Sequence, residues 1–145
     1  MSTAEFSVEV DASPERVWEV VSNPANIPHW ERHVESVQVP DELEKDSTYS
    51  VVMSFMGVRV RVRGEILRWE PPSHATIHLR GPLDATIETS IARLPHDRSL
   101  LRHEVTYQFR GPLGGLVAAG LTAVGGAQLG IKVGTLGQKR QIEGR

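Results

Sequence analysis

The first thirty residues combine a strand pattern with a helix pattern. Apolar and polar residues alternate over Thr3–Asp11, and this period of two predicts a strand with one buried face. Ser13 offers a hydroxyl cap to a helix that begins at Pro14, where proline loses no helical hydrogen bond. The pattern predicts this helix over Pro14–Ser22 and a second, short helical turn over Ala25–Trp30.

The middle of the chain repeats the strand pattern several times between turn residues. Gly57, Pro71-Pro72 and Gly81-Pro82 mark three of the turns. Because no helical pattern lies between the strands, they predict an antiparallel meander rather than a parallel sheet. The predicted strands are Val34–Val39, Thr48–Met56, Val58–Trp69, His74–Arg80, Asp84–Leu94 and Leu100–Arg110.

The end of the chain changes to a helical period. Apolar residues at helical spacing predict one long helix over Leu113–Ile142. The uncharged stretch 111–131 has the length of a membrane span, but its glycines and polar residues lower its mean hydropathy. We therefore expect a helix of a globular core.

Glycine is concentrated in this predicted helix. Ten of the thirteen glycines lie within Gly111–Gly144, although an interior glycine destabilises a helix by about 1 kcal/mol relative to alanine. Gly126, Gly130 and Gly134 recur at a spacing of four and share one face. We expect close packing of another backbone there, with room for a ligand or a flexible lid as the alternatives.

Composition and charge narrow the class of protein. The 145 residues predict a single domain over 1–145, and a net charge of −2 argues against nucleic acid as the main partner. No cysteine is present, which excludes disulfides and thiolate metal sites. The N-terminal residues lack a signal-peptide pattern, so we expect a cytoplasmic protein. For the oligomeric state, we expect either a monomer or a homodimer.

The order of elements, together with two local motifs, resembles a known superfamily. Val10–Trp18, with the sequence VDASPERVW, looks like the first strand and helix start of the START-like (Bet v 1-like) superfamily, in particular its bacterial polyketide cyclase/dehydrase and lipid-transport group. Asn23-Pro24 followed by Trp30 looks like the second-helix region of that group. The resemblance implies an α+β helix-grip fold. In that fold a curved antiparallel sheet of about seven strands, two short helices and a long C-terminal helix enclose a cavity for a hydrophobic ligand.

Four polar residues are expected inside such a cavity. We assume that the valines of the predicted strands Thr48–Met56 and Val58–Trp69 face inward. Strand parity then places four polar residues among apolar neighbours, namely Tyr49, Thr89, His103 and Tyr107. A few polar groups in an apolar pocket orient a ligand. The simpler alternative is that each finds a hydrogen-bond partner in the core.

The leading hypothesis is therefore binding, for transport or sensing, of a small hydrophobic molecule such as a lipid or a polyketide-like aromatic. One alternative is a cofactor-free cyclase or dehydratase in which His103 moves protons and Tyr107 or Tyr49 donates a hydrogen bond to a carbonyl oxygen. Another is a protein-interaction or regulatory module. The predicted ligand-binding residues are Trp30, Tyr49, Val51, Met53, Phe55, Thr89, His103, Tyr107, Leu116, Gly120 and Val124.

The sequence indicates neither a metal site nor a cofactor. His29 and His33 have a spacing of four, but no further ligand accompanies them, and no phosphate or dinucleotide motif occurs. Arg59, Arg61 and Arg63 form a basic row on one strand face. We expect a solvated face balanced by acidic residues of neighbouring strands; contact with phosphate or, peripherally, with an anionic membrane is the alternative.

Overall fold

Seven antiparallel strands form one sheet in a computed structural model that describes residues 2–31, 33–55, 57–123 and 126–144. The strand order β1-β7-β6-β5-β4-β3-β2 places the first two strands of the chain at opposite edges. All pairings are antiparallel, as the meander pattern predicts. The strands are β1 (Ser2–Val10), β2 (Val34–Gln38), β3 (Thr48–Phe55), β4 (Val58–Glu70), β5 (His74–Arg80), β6 (Leu83–Leu94) and β7 (Arg98–Phe109).

Two short helices follow β1. The first helix, α1, spans Pro14–Val21, and the Ser13 hydroxyl accepts a hydrogen bond from the Arg16 backbone N–H at 3.3 Å. This is the cap that the sequence predicts. A 3₁₀ turn over Pro24–Asn26 leads into α2, which covers only Ile27–Trp30.

The predicted C-terminal helix is divided into two. Helix α3 spans Gly111–Ala123 and helix α4 spans Gly126–Glu143. Gly126 has a φ of +88°, a left-handed value that a continuous α-helix does not contain. The expectation of one uninterrupted helix over Leu113–Ile142 was therefore wrong, because periodicity carries no information about the backbone angle of a single glycine.

Helix α4 covers the free edge of β1. The Gln128 side chain donates to the Glu5 carbonyl oxygen at 2.6 Å and accepts from the Glu5 backbone N–H at 3.2 Å. Farther along, the Lys139 ammonium group donates to the Glu9 carbonyl oxygen at 2.8 Å. These side chains occupy backbone groups that an edge strand otherwise offers to another chain.

Apart from Ala4, Ala75 and Ala85, the buried apolar residues form three clusters on the inner face of the sheet, which is the face that carries the helices. The α1 cluster contains Val10, Val17, Val20, Ile91, Leu101 and Ile142. The Tyr49 cluster contains Val34, Tyr49, Val51 and Ile66, and the Val117 cluster contains Val60, Val62 and Val117. This arrangement confirms the predicted α+β helix-grip fold. No helix within the described ranges has the length and hydropathy needed to cross a membrane.

Candidate functional site

The four polar residues predicted for the interior share the inner face of the sheet. In the strand register, Thr89 lies opposite His103, Tyr107 opposite Ala85, and Tyr49 opposite Gly64. Directly opposed residues of an antiparallel pair point to the same side. The parity that the sequence indicates is therefore correct.

His103 connects the sheet to α4 through two hydrogen bonds. Its Nδ1 lies 2.8 Å from the Thr89 hydroxyl, and its Nε2 lies 2.7 Å from Oε1 of Gln138. Because Oε1 can only accept, Nε2 carries the proton, and Nδ1 accepts from the threonine hydroxyl. Burial lowers the pKa of His103, which holds the imidazole in the neutral form that this pattern requires.

Tyr107 does not join this network. It lies four residues beyond His103 on β7, a separation of about 13 Å along a strand. Its ring packs edge-on against Phe109, with the ring centroids 5.8 Å apart. The histidine and tyrosine proposed as a proton-transfer pair are therefore not within hydrogen-bond reach of each other.

Tyr49 lies across the sheet over a glycine. A Cβ atom on Gly64 would come within 2.4 Å of Cζ of Tyr49, so the ring occupies the space that the missing side chain leaves. Tyr49 is only 5% exposed, and burial raises the pKa of its phenol. The phenol therefore stays protonated and can serve as a hydrogen-bond donor.

The other predicted ligand-binding residues have different surroundings. Val51 is buried in the Tyr49 cluster and Met53 is half-buried beside it. The indole N–H of Trp30 donates to Oε1 of Gln141 on α4 at 2.8 Å, so this ring joins α2 to α4. The predictions for the side chains of Phe55, Leu116 and Gly120 and for Val124 fall outside the described part of the chain.

Two apolar residues at the centre of the inner face remain incompletely covered. Ile87 and Val105 lie opposite each other on β6 and β7, with a paired strand on either side. Both are partly exposed, and among the described residues neither belongs to one of the three clusters. Their side chains point to the same side as His103, so this exposed area lies on the face of the sheet that carries the helices.

Sequence reasoning missed Gln138 and Glu31. Gln138 follows Thr135 by three residues and precedes Ile142 by four. This helical spacing would have predicted that Gln138 lies on the buried side of α4. The Glu31 carboxyl group lies at the end of α2, and its Oε1 would be 3.5 Å from a Cβ on Gly134. Burial raises the pKa of Glu31 to about 7. The sequence does not reveal this burial, because it does not show that α4 packs beside Glu31.

The prediction that another backbone packs closely on the glycine row is met at none of its three positions, although a side chain lies beside Gly134. A Cβ on Gly126 or Gly130 would meet nothing within 4 Å, whereas one on Gly134 would contact Glu31. Gly137, outside the predicted row, lies against Trp30, because a Cβ there would be 3.6 Å from the Trp30 Cα. The side of α4 that faces α2 therefore runs through Gly134, Gly137 and Gln141 rather than through Gly126 and Gly130.

The basic row lies on the outer face of β4. Nε of Arg59 is 3.0 Å from a carboxylate oxygen of Glu35, an acidic residue of β2, which lies beyond β3 rather than directly beside β4. Among the described residues, Arg61 and Arg63 have no carboxylate partner, and Arg63 lies opposite Arg80 in the register. The expectation of a balanced face is therefore met at Arg59 alone.

Metal-ligating side chains do not gather in the described ranges, where no group of three or more His, Asp and Glu residues comes together. The α2 helix ends at Trp30, so His29 and His33 do not share a helix.

Comparisons with known proteins identify the relatives of this fold. A protein from Thermus thermophilus is 17% identical, with a TM-score of 0.73 over 99% of this chain and 98% of that one. A START superfamily protein from Mycobacterium smegmatis is 15% identical, with a TM-score of 0.72 and coverage of 98% and 97%. The Zhui aromatase/cyclase from Streptomyces sp. R1128 is 14% identical, with a TM-score of 0.65 and coverage of 97% and 95%.

No curated protein matches the chain. The family model described as polyketide cyclase / dehydrase and lipid transport matches residues 1–131, nearly the whole sequence. The chain therefore belongs to the polyketide cyclase / dehydrase and lipid transport family.

Proposed function

We propose that this protein binds a small, largely hydrophobic molecule between the inner face of the sheet and the C-terminal helices. The observation that carries the proposal is the partial exposure of Ile87 and Val105 at the centre of the sheet. An apolar surface left open inside a fold is favourable only when something apolar covers it. The description of the family, which includes lipid transport, supports the same class of ligand.

The polar groups available to such a ligand are few. Tyr49 keeps a protonated phenol beside Gly64, and no side-chain hydrogen bond to that phenol occurs among the described residues. Tyr107 offers a second hydroxyl group on the same face. A ligand with one or two oxygen atoms on an apolar or aromatic body, such as a lipid or a polyketide-like compound, fits this supply of donors.

Binding is better supported than catalysis by His103. A general base needs a free ring nitrogen near the substrate, but both nitrogens of His103 are engaged, by Thr89 and Gln138. The lowered pKa also makes it a weaker base. We therefore assign His103 to holding α4 against the sheet, and we propose a carrier or sensor that acts in the cytoplasm without a cofactor.

A bulky side chain at the centre of the inner face tests the proposal. In the Val105→Trp variant the indole should fill the open space, so the affinity for a fluorescent fatty acid should fall about tenfold or more while the fold survives. Thr106→Trp is the matched control, since Thr106 is the next residue of β7 and points to the outer face. It should bind the probe as the parent does.

The stability of the two variants adds a second readout. If no space lay above Val105, overpacking would destabilise Val105→Trp by about 1–3 kcal/mol relative to Thr106→Trp. That result, or unchanged probe binding in a folded Val105→Trp variant, would contradict the proposal. Native mass spectrometry of protein purified from its own host should then identify a copurifying hydrophobic molecule and so name the ligand.

A further inference from the structure

Helix α3 presents an apolar face to solvent. Its thirteen residues contain no charged side chain, and Thr122 is its one polar residue. A surface helix ordinarily carries charged and polar residues on its outer side. Past Gly111, the exposed residues in the described part of α3 are instead Pro112, Leu113, Gly115 and Ala119, which lie on one side of the helix.

This face lies at one end of the sheet. In an antiparallel meander, the β3–β4 turn, the β5–β6 turn and the end of β7 lie together. The Arg110 backbone N–H donates to the Pro82 carbonyl oxygen at 2.8 Å, and a Cβ on Gly114 would lie 3.3 Å from that same oxygen. Val117 then packs on Val60, so α3 crosses this end from β7 toward β4.

A second exposed apolar residue lies at the same end. Val58, beside the β3–β4 turn, is 40% exposed, and Leu113 is 43% exposed. We call the exposed residues Val58, Pro112, Leu113 and Ala119 the apolar end of the molecule.

Arginines surround the apolar end. Arg59 follows Val58, Arg80 precedes the β5–β6 turn, and Arg110 precedes α3. A Cβ on Gly81 of that turn would lie 3.0 Å from the Arg61 carbonyl oxygen, so Arg61 lies at the same end of the sheet as the β5–β6 turn. We call Arg59, Arg61, Arg80 and Arg110 the arginine rim.

The arginine rim carries an uncompensated positive charge. Three of its members have carboxylate partners, at 3.0 Å for Arg59, 3.6 Å for Arg80 and 3.3 Å for Arg110. Arg61 has none among the described residues, and Arg63 beside it has none either. The chain as a whole is negative, at −2, so this end differs in sign from the rest of the surface.

We propose that the apolar end and its arginine rim dock onto an anionic lipid bilayer. Apolar side chains enter the boundary between headgroups and acyl chains, while the guanidinium groups bind lipid phosphates, as in other peripheral contacts. A second copy of the chain fits less well, because a two-fold interface sets the same patch on both subunits and brings two positive rims together. The inference concerns a surface outside the ligand space, so it does not rest on the proposed function.

Cosedimentation with sucrose-loaded vesicles tests the docking. The full chain should pellet with phosphatidylcholine vesicles that contain about 30% phosphatidylglycerol, and far less with phosphatidylcholine alone. Raising the salt from about 0.1 M to about 0.5 M should weaken the binding. Arg61→Glu should lower the apparent affinity about tenfold or more, because it replaces an attraction with a repulsion. Leu113→Asp should lower it at both salt concentrations.

Matched controls come from the opposite end of the sheet. Arg16→Glu reverses an exposed arginine of α1, and Leu67→Asp replaces an apolar residue of β4 that is 39% exposed. Neither should change vesicle binding. Ala119→Asp replaces Leu113→Asp if circular dichroism shows that the latter is unfolded.

The outcomes separate the possibilities. Equal pelleting with both kinds of vesicle, or full binding by folded Arg61→Glu and Leu113→Asp variants, would overturn the proposal. Dimerisation in light scattering that Leu113→Asp abolishes, without vesicle binding by the parent, would do the same and identify a second copy as the occupant. Fatty-acid probe binding without vesicles should be unchanged in Arg61→Glu, which keeps a failure of docking distinct from a failure of ligand binding.

Discussion

The half-buried carboxyl group of Glu31 should make the stability of this protein fall as the pH rises. Glu31 directly follows α2 and lies against Gly134 of α4, and no ion pair or hydrogen bond to its carboxylate occurs among the described residues. Burial is the cause that raises its pKa from 4.5 to about 7. We therefore expect Glu31→Gln to stabilise the protein at neutral and alkaline pH.

The magnitude follows from the two pKa values. A carboxyl group whose pKa is higher in the folded state is more easily protonated there, so ionisation of the group lowers the free energy of unfolding. Below pH 4.5 the cost is absent. This destabilisation grows between pH 4.5 and about 7 and is then constant. Each unit of difference between the two pKa values corresponds to about 1.4 kcal/mol, so the full destabilisation is about 3 kcal/mol. This is a ceiling, since a half-exposed carboxylate keeps part of its hydration.

Urea denaturation of the parent and of Glu31→Gln at a series of pH values provides the assay. The difference in unfolding free energy should be near zero at about pH 4, should rise through about pH 5.5, and should reach at most about 3 kcal/mol at about pH 8. Other titrating groups cancel because both proteins share them. Glu19→Gln, at an exposed position of α1, is the matched control, and its difference should not rise in this way. A difference for Glu31→Gln that stays flat from pH 4 to 8 would refute the reasoning.

Further predictions concern glycines and the His103 network. Gly64→Ala should destabilise the fold by about 1–3 kcal/mol in urea denaturation, since its Cβ would come within 2.4 Å of the Tyr49 ring. Gly130→Ala should instead stabilise it by up to about 1 kcal/mol, because the added methyl group meets open space; destabilisation would show close packing there after all. Gln138→Leu should cost about 1–3 kcal/mol by leaving the Nε2–H of buried His103 unpaired, whereas Gln141→Leu, on the exposed side of α4, should cost less.

Local chemistry made much of the fold predictable. The Ser13 cap, Pro14 at the first helical position and the period-two strands act through neighbours in sequence, and the structure keeps each of them. The inner-face placement of Thr89 and His103 was predictable for the same reason, because side-chain direction in a strand depends only on parity.

Long-range contacts set the limit of that reasoning. His103 was predicted to face inward, but its partner Gln138 is thirty-five positions away, on another element. Nothing in the local pattern distinguishes a histidine with two filled hydrogen bonds from one that is free to accept a proton. The raised pKa of Glu31 likewise depends on where α4 crosses α2. The direction of a side chain within a strand or helix can therefore be predicted from the sequence, while the packing of the helices on the sheet cannot.

The break at Gly126 gives the two C-terminal helices different roles. Helix α4 is fixed by polar contacts with three elements, since Gln128 holds β1, Gln138 holds β7 and Gln141 holds α2. In the part of helix α3 whose side chains the structure describes, contact with the sheet is made by an apolar residue, Val117, so displacing that part would break apolar packing rather than side-chain hydrogen bonds of this kind. We therefore expect a ligand on its way to Val105 to pass beneath α3, the helix whose other face we assign to the membrane. A molecule leaving a bilayer would then need to cross only one helix to reach the interior.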